Sequence, residues 1–448
     1  MAGVGGVFPN HEDHLLDKKK ISEYFTENFR EILYPLNFTS KQGPWQYHCP
    51  PDHKNFIDLS TLTWCGKIKV VNSANALTPV IDASTKEINC SVVNNFIHST
   101  ISKITYQIND FSMGDSLGKS YSYRAYIDNL LSFSPDAKDQ SLKYHGFVKD
   151  VANKFDDVAK KRDENNNNGF KERAELFCTN NYFHFSVKLR IDLANIEQLL
   201  QPGVQLRFEL ERNNDPFVLM SDVGNSTSYQ FDIKDTSIQF DKLVPTESYS
   251  NHFETNVSKS PLIYNYDKSN IYTFNWPANI NDLSIHQLFH SDKLPSYLVF
   301  GMVEDQSFIG DVSKNPFNFK NFDVCEFYLL VNGKSFPTQP VKLDFASMDY
   351  HHVYVNEFLD KLKLKNSNES IGLSSDDWKG GSFFWIVDLN VDKCSNFHEH
   401  KVLPGTINFK MVTKTALSQT TRLIVYSSSR ERFSINYRTG EILSTVSM

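Results

Sequence analysis

Three stretches of the chain hold residues in patterns that chemistry could use. The first, Gly114-Asp115-Ser116-Leu117-Gly118, fits the G-x-S-x-G spacing of a nucleophile elbow, where a strained strand-to-helix turn exposes a serine hydroxyl. Asp349-Tyr350-His351-His352 would then have to supply the acid and base. The surroundings argue against it. An elbow ends a buried central strand within βα repeats, but the segment before Gly114 is half polar and Asn109-Asp110 sets a turn in it. Nothing downstream offers a parallel sheet, so Ser116 is read as part of a polar loop before a helix, and no catalytic residue is expected.

The second stretch, Gly118-Lys119-Ser120, has the ending of a phosphate-binding loop. Such a loop needs a glycine five residues earlier, to turn backbone amides onto the phosphates. That position is Met113. Lys119 and Ser120 are expected simply to open a helix, with Ser120 or Ser122 as its cap. The third pattern is a scatter of His48, Cys49 and His53, then His351 and His352, then Cys394, His398 and His400. Zinc takes four convergent nitrogen or sulfur ligands, usually from two close pairs. Cys394-x-x-x-His398-x-His400 supplies three ligands and no evident fourth, so neither a metal nor a cofactor is expected. Trp276, Trp378 and Trp385 could line a sugar groove, although aromatics of a β-sandwich usually fill its core. No carboxylate pair is placed for glycoside hydrolysis.

The elements around these residues point to sandwiches. Phe183, Phe185, Val187, Leu189 and Ile191 alternate with polar positions, as do Val204, Leu206, Phe208 and Leu210 after the turn at Pro202-Gly203. YLVFGMV, EFYLLVNGKSF, FFWIVDLNV, GTINFKMV, TRLIVYS and RFSINYR continue the pattern in the second half, each bounded by Gly, Pro, Asn or Ser. Leu59 to Val71 reads as the first strand. Helical spacing is expected from Lys18 to Tyr34 (Ile21, Phe25, Phe29, Ile32, Leu33), around Tyr123, Tyr126, Ile127 and Leu130, and from Gly146 to Arg162 (Phe147, Val151, Phe155, Val158). Asn165 to Gly169 reads as a loop.

The halves echo one another. ITYQINDFSM (Ile104 to Met113) aligns with FYLLVNGKSF (Phe327 to Phe336), and FHFSVKLRIDL with QPGVQLRFEL resembles SFFWIVDLNV with LPGTINFKMV. Three matches in one order imply two copies of one sandwich, joined near Asp235 to Pro245. The chain's 448 residues suit two domains. The expected division is an N-terminal arm with a helix (1–55), a first sandwich (56–240) and a second (241–448). A net charge of −7 gives no reason to expect tight binding to nucleic acid phosphates. The six cysteines are scattered with no C-x-x-C pair and read as reduced thiols of a soluble protein made in the cytosol. No signal-like segment, myristoylation site or membrane-length apolar run is found, so Asn37-Phe38-Thr39 and Asn256-Val257-Ser258 read as chance sequons.

Several segments carry a family resemblance. These are SYSYRAYIDNLLSF (Ser120 to Phe133), NGFKERAELF (Asn168 to Phe177), LPSYLVFGMVEDQSFIGDVSKNPFNFKNFDV (Leu294 to Val324), FYLLVNGK (Phe327 to Lys334) and RLIVYSSS (Arg422 to Ser429). From about Leu59 to near its end, the chain resembles the double jelly-roll major capsid (hexon-like) proteins of Polinton/Maverick elements and adintovirus-like DNA viruses. It departs at Ser428, Ser429, Arg430 and Glu431, where relatives carry a more acidic, apolar stretch, and it is short for a Polinton capsid protein.

The resemblance implies an all-β chain of two tandem jelly rolls with short inserted helices, without enzymatic activity. It also implies a homotrimer forming pseudo-hexagonal capsomers of an icosahedral virion capsid. Penton and minor capsid proteins would be further partners, with synthesis in the host cytosol and the nucleus as one place of assembly. The alternatives are a β-sandwich binding protein domesticated by a host, and a GDSL-type hydrolase. Asn315, Pro316, Phe317, Phe319 and Phe322 form the segment expected to be buried, at the join of the two jelly rolls or in the trimer interface. Three large rings in proline- and asparagine-rich loop chemistry cannot all face water without inviting aggregation.

Overall fold

Period-two alternation builds most of this chain, and strand Phe56–Asn72 shows how. Leu62, Trp64, Ile68 and Val70 are buried while Thr63, Cys65, Lys67 and Lys69 stand on the wetter face. The computed structural model describes residues 24–37, 43–72, 80–114, 118–222, 229–257, 261–390 and 404–444.

Among these residues, four main sheets contain sixteen principal strands. In the first half they are β1 Phe25–Leu33, β2 Trp45–Cys49, β3 Phe56–Asn72, β4 Ile101–Ile108, β5 Phe111–Gly114, β6 Phe183–Lys188, β7 Leu206–Arg212 and β8 Tyr229–Pro245. The second half contributes β9 Leu262–Trp276, β10 Asp282–Ser291, β11 Tyr297–Glu304 and β12 Val324–Val331. It continues with β13 Lys334–Lys342, β14 Phe384–Asp388, β15 Gly405–Thr413 and β16 Thr421–Ile435.

The first half stacks a sheet of order β1-β8-β3-β6 with one of order β2-β7-β4-β5. The second stacks β9-β16-β11-β14, extended by Ile442–Ser444 beside β16, with β10-β15-β12-β13. Counted from its own first strand, each half reads 1-8-3-6 and 2-7-4-5, all antiparallel, which is the winding of a jelly roll. Helices are inserted between strands: Ser120–Ser132 and Asn168–Phe177 before β6, Glu247–Val257 before β9, Asp305–Ile309 before β12 and Ser375–Lys379 before β14. No helix among the described residues is long and apolar enough to cross a membrane.

The expected cores are found. Phe185, Val187 and Leu189 are buried and Phe183 is half-buried, while Phe409, Met411 and Ile424 are buried in the second half.

Four expectations give way. Where a helix was expected up to Tyr34, Phe25–Leu33 is β1, paired with β8; residues 18–23 of that stretch lie outside the described residues. Phe25, Phe29 and Leu33 recur every four residues, a spacing that suits one helix face and one strand face equally. With β2 beside β7, two strands of the first sandwich therefore lie within the stretch expected to be an arm. The segment from Gly146 to Arg162 is a chain of turns, not a helix. Its amides are drawn elsewhere: Val148 N–H donates to Asn94 Oδ1 (3.0 Å), Val151 N–H to Asn167 Oδ1 (3.3 Å) and Asn153 N–H to the Gly380 carbonyl (2.6 Å).

The expected join at Asp235 to Pro245 lies inside β8. Asp235, at φ 51°, marks a bulge where pairing with β3 slips between Lys234 and Ser237. The change of sheets instead falls between Pro245 and Leu262, across the helix Glu247–Val257. Lastly, TRLIVYS and the start of RFSINYR are one continuous strand, β16.

Candidate functional site

The residues that could do chemistry are dispersed. Ser116 and the Cys394–His400 cluster lie outside the described residues, and among those described no group of three or more His, Cys, Asp or Glu could hold a metal. His352 Nδ1 pairs with Asp349 Oδ1 at 3.3 Å on an exposed turn. Cys49 is buried, whereas His53 is exposed. Trp276, Trp378 and Trp385 are at most 1% exposed and belong to the core, not to a groove. Neither serine caps the helix after Gly118. Lys119 occupies the cap position at φ 66°, its N–H donates to Ser102 Oγ (2.8 Å), and Ser122 Oγ donates to the Ile101 carbonyl (2.6 Å).

Lys119 has another task. Its Nζ donates to the carbonyls of Phe308 and Ile309 in the second half and sits over the rings of Phe217 (4.8 Å) and Phe308 (5.2 Å). Burial, with Arg422 nearby, lowers its pKa to about 8.

The segment from Asn315 to Phe322 lies where the halves meet. Phe317 and Phe319 are fully buried, as are Asn315 and Pro316, while Phe322 is half-buried with φ 46°. The Phe317 ring stacks on Tyr126 (4.3 Å between centroids, 12° between planes) and meets Tyr123 and Phe217 edge-on at 5.6 and 6.0 Å. All three partners belong to the first half. Phe319 packs on Phe384 of β14 at 4.4 Å, and a Cβ added to Gly301 of β11 would come within 2.5 Å of the Phe319 ring.

The backbone of this segment is bonded on both sides. Tyr123 Oη donates to the Pro316 carbonyl (3.2 Å), and Phe319 N–H donates to the Gly381 carbonyl (2.9 Å). Asn315 N–H donates to Asp156 Oδ1 (2.8 Å), and its side-chain amide donates to Asp150 Oδ2 (3.3 Å). Asn318 Nδ2 reaches Asp156 Oδ2 at 2.8 Å.

Charges buried at the seam are matched with directional bonds. Arg173 and Asp150 pair at 2.6 Å with both side chains fully buried, and Asp150 also accepts from Asn167 (2.8 Å). Arg124 pairs with Asp192 at 2.5 Å. Asp192 Oδ1 in turn accepts the N–H of Ser269 on β9 (3.1 Å), and Ser269 Oγ bonds Tyr426 Oη on β16 (3.0 Å). Burial raises the Asp128 carboxyl despite Arg124 and Arg190 beside it. Carboxylates are thus bonded by guanidinium and amide groups, and several lysines by backbone carbonyls. The chemistry of this arrangement is that of a fastening.

Sequence reasoning missed Tyr123, Tyr126, Asp150, Arg173 and Lys119 as seam residues. One signal was available. The helix SYSYRAYIDNLLS carries aromatic or aliphatic groups around much of its circumference, and 11 of its 13 residues are buried. A helix of that kind needs cover on more than one side.

Two jelly rolls of identical winding in one chain, closed over a shared buried face, make this a double jelly-roll fold. The same fold occurs in a chain of the Sputnik virophage (TM-score 0.64, 13% identity, 95% of this chain and 90% of that one). It occurs also in the mavirus major capsid protein (TM-score 0.52, 9% identity, 99% and 96% covered). The PBCV-1 virus capsid is a third case (TM-score 0.51, 10% identity, 95% and 98% covered). In sequence the chain is similar to an uncharacterised protein of Caenorhabditis elegans, 21% identical over 417 residues that span 92% of this chain and 95% of that protein. No family model matches the chain.

Proposed function

We propose that this chain is a major capsid protein of a Polinton-like or adintovirus-like element, which trimerises into pseudo-hexagonal capsomers and builds an icosahedral shell. The observation that carries the reading is the pair of jelly rolls of one winding, fastened by a bonded seam into a single block. Three such blocks around a threefold axis present six jelly rolls, the shape of a hexagonal tile. The segment from Asn315 to Phe322 is the joint within each block, the first roll running from β1 through β8 and the second from β9 onward. The likeness to virophage and PBCV-1 structures over nearly the whole chain supports the same reading.

Exposed apolar groups are gathered beside β1, at Tyr24 (41% exposed), Ile32 (43%), Tyr34 (60%) and Leu36 (66%), which suits an edge covered by a neighbouring subunit. A permanent interface between blocks should bury roughly 2,000 Å² or more. The function needs no enzyme chemistry, and the partners are further copies together with penton and minor capsid proteins in the virion. A second reading, a host-resident β-sandwich binding protein descended from such an element, draws on the nematode relative.

Electron microscopy of the purified protein, with its mass from light scattering, separates the two. Pseudo-hexagonal particles of three chains are expected. A stable monomer at micromolar concentration would end the capsid reading and leave the binding protein.

A further inference from the structure

Beside the Phe317 joint, between the same two jelly rolls, lies a cavity of about 170 Å³. Tyr126, Leu130, Phe147 and Phe155 of the first half form one side, and Ile371 and Leu373 of the second form the other. Asn94, Lys138, Asp139, Lys149, Asp150 and Ser382 also line it, so the cavity has an apolar, aromatic side and a polar side. Its volume is close to that of a cavity that accepts benzene, which leaves room for a six-membered ring or a six-carbon chain.

Its polar groups are unevenly satisfied. Asp150 is fully engaged by Arg173, Asn167 and Asn315, and Lys149 is paired with Asp377 at 2.6 Å. Asp139 stands at the exposed rim. Lys138 differs from all of these. Its Nζ donates to the carbonyls of Leu130 and Ile371, both at 2.6 Å, and makes no ion pair among the described residues. An ammonium has three N–H donors, and beyond the two carbonyls Nζ meets only the face of the Phe147 ring, 5.8 Å from its centroid, among the described residues. The amine is partly desolvated, has another cation (Lys149) as its electrostatic neighbour, and its pKa is lowered to about 8 by burial and then by Lys149. The ammonium therefore faces the cavity with backbone carbonyls, and no carboxylate, as its hydrogen-bond partners among the described residues.

We propose that this seam cavity binds a small organic monocarboxylate, its apolar body held among Tyr126, Leu130, Phe147 and Leu373 and its carboxylate on Lys138 Nζ. The ligand's charge would pair with an ammonium that makes no ion pair among the described residues, and its hydrocarbon would cover the apolar side of the cavity. Because the walls come from both jelly rolls, the bound acid joins them and stabilises the assembled block by mass action.

Thermal melting of the full-length chain tests this with three six-carbon probes at matched ionic strength: sodium hexanoate, 1-hexanol and hexylamine. At about a hundredfold excess over its dissociation constant, hexanoate should raise the melting temperature by about 3–5 °C. Hexanol should act several-fold more weakly, and hexylamine should give no rise. Lys138→Gln, which keeps a donor for the two carbonyls, should lose the hexanoate response. The proposal fails if hexanol matches hexanoate, if no acid raises the melting temperature, or if Lys138→Gln responds as the unaltered chain does. Should that variant not fold, the three probes on the unaltered chain decide alone.

Discussion

Phe317→Ala tests the seam most directly. The ring is fully buried, and each aromatic partner it meets, at 4.3, 5.6 and 6.0 Å, belongs to the first half while Phe317 belongs to the second. Removing it takes away the transfer energy of a buried benzyl group and leaves a cavity that stacked rings cannot easily close, together about 3–5 kcal/mol. Against a total stability of roughly 5–15 kcal/mol that is a large share. For a chain of this length, each kcal/mol moves the melting temperature by about 1–2 °C, so a fall of about 3–10 °C is expected. Differential scanning calorimetry should also show the single transition broadening or splitting, because the lost contacts are those that couple the two rolls. A variant that melts as one sharp transition within about 1 °C of the unaltered chain would refute the reasoning, and with it the idea that this ring fastens the halves.

Two further outcomes follow from the buried charges. Asp150→Asn leaves the Arg173 guanidinium fully buried beside a neutral partner and should cost about 3–5 kcal/mol by urea unfolding, with Asp150→Leu/Arg173→Met recovering part of it; an unchanged midpoint in the single variant would contradict the pairing. His98 is held well below its ordinary pKa by burial, then by His145 and Arg190, and His145 is lowered to about 4 by burial and then by Arg190. Both folded values lie below the unfolded value of about 6.5, so this contribution to stability is present above pH 6.5 and is lost as pH falls toward 4. His145 alone should cost on the order of 2 kcal/mol between pH 7.5 and pH 5. The acid-induced drop in melting temperature should shrink in His98→Gln/His145→Gln, and an equal drop in both proteins would reject the assignment.

Strands were legible wherever alternation was strict, because one face of each sheet is buried and the other is not. The internal echo was legible for the same reason. Ile104 to Met113 and Phe327 to Phe336 are the β4–β5 and β12–β13 hairpins, the fourth and fifth strands of their sandwiches. The matched Pro202-Gly203 and Pro404-Gly405 lie at the entry to the seventh strand, before β7 and at the first residue of β15, and both glycines have positive φ (83° and 144°). What alternation could not resolve was β1, whose four-residue spacing fits two periods, and the run after Gly146, whose helical spacing was overruled by bonds to distant amides and carbonyls. The bulge at Asp235 looked like a linker because a bulge and a linker use the same polar residues. The seam was half legible. The crowding of Phe317, Phe319 and Phe322 in loop chemistry pointed to burial at the join or in a trimer interface, but not to the particular side chains that meet them, since Tyr123 and Pro316 meet across 193 positions of sequence.

The composition of that seam also bears on how a rigid block is specified. Aromatic stacking supplies contact area, yet rings tolerate sliding, and two smooth faces could settle in more than one offset. The bonded charges do not tolerate it. A slip by one strand spacing, about 4.8 Å, would separate Asp192 from the Ser269 amide and Asp150 from Asn315, leaving both carboxylates short of buried partners. Both carboxylates would keep their guanidinium partners, so each lost amide bond costs about 1.5–3 kcal/mol at a buried charged group. Rings therefore provide the adhesion, and Asp150, Asp192 and their partners fix the offset at which the two jelly rolls meet. The proposed capsid tile, whose edges would have to match its neighbours, needs that offset to have a single value.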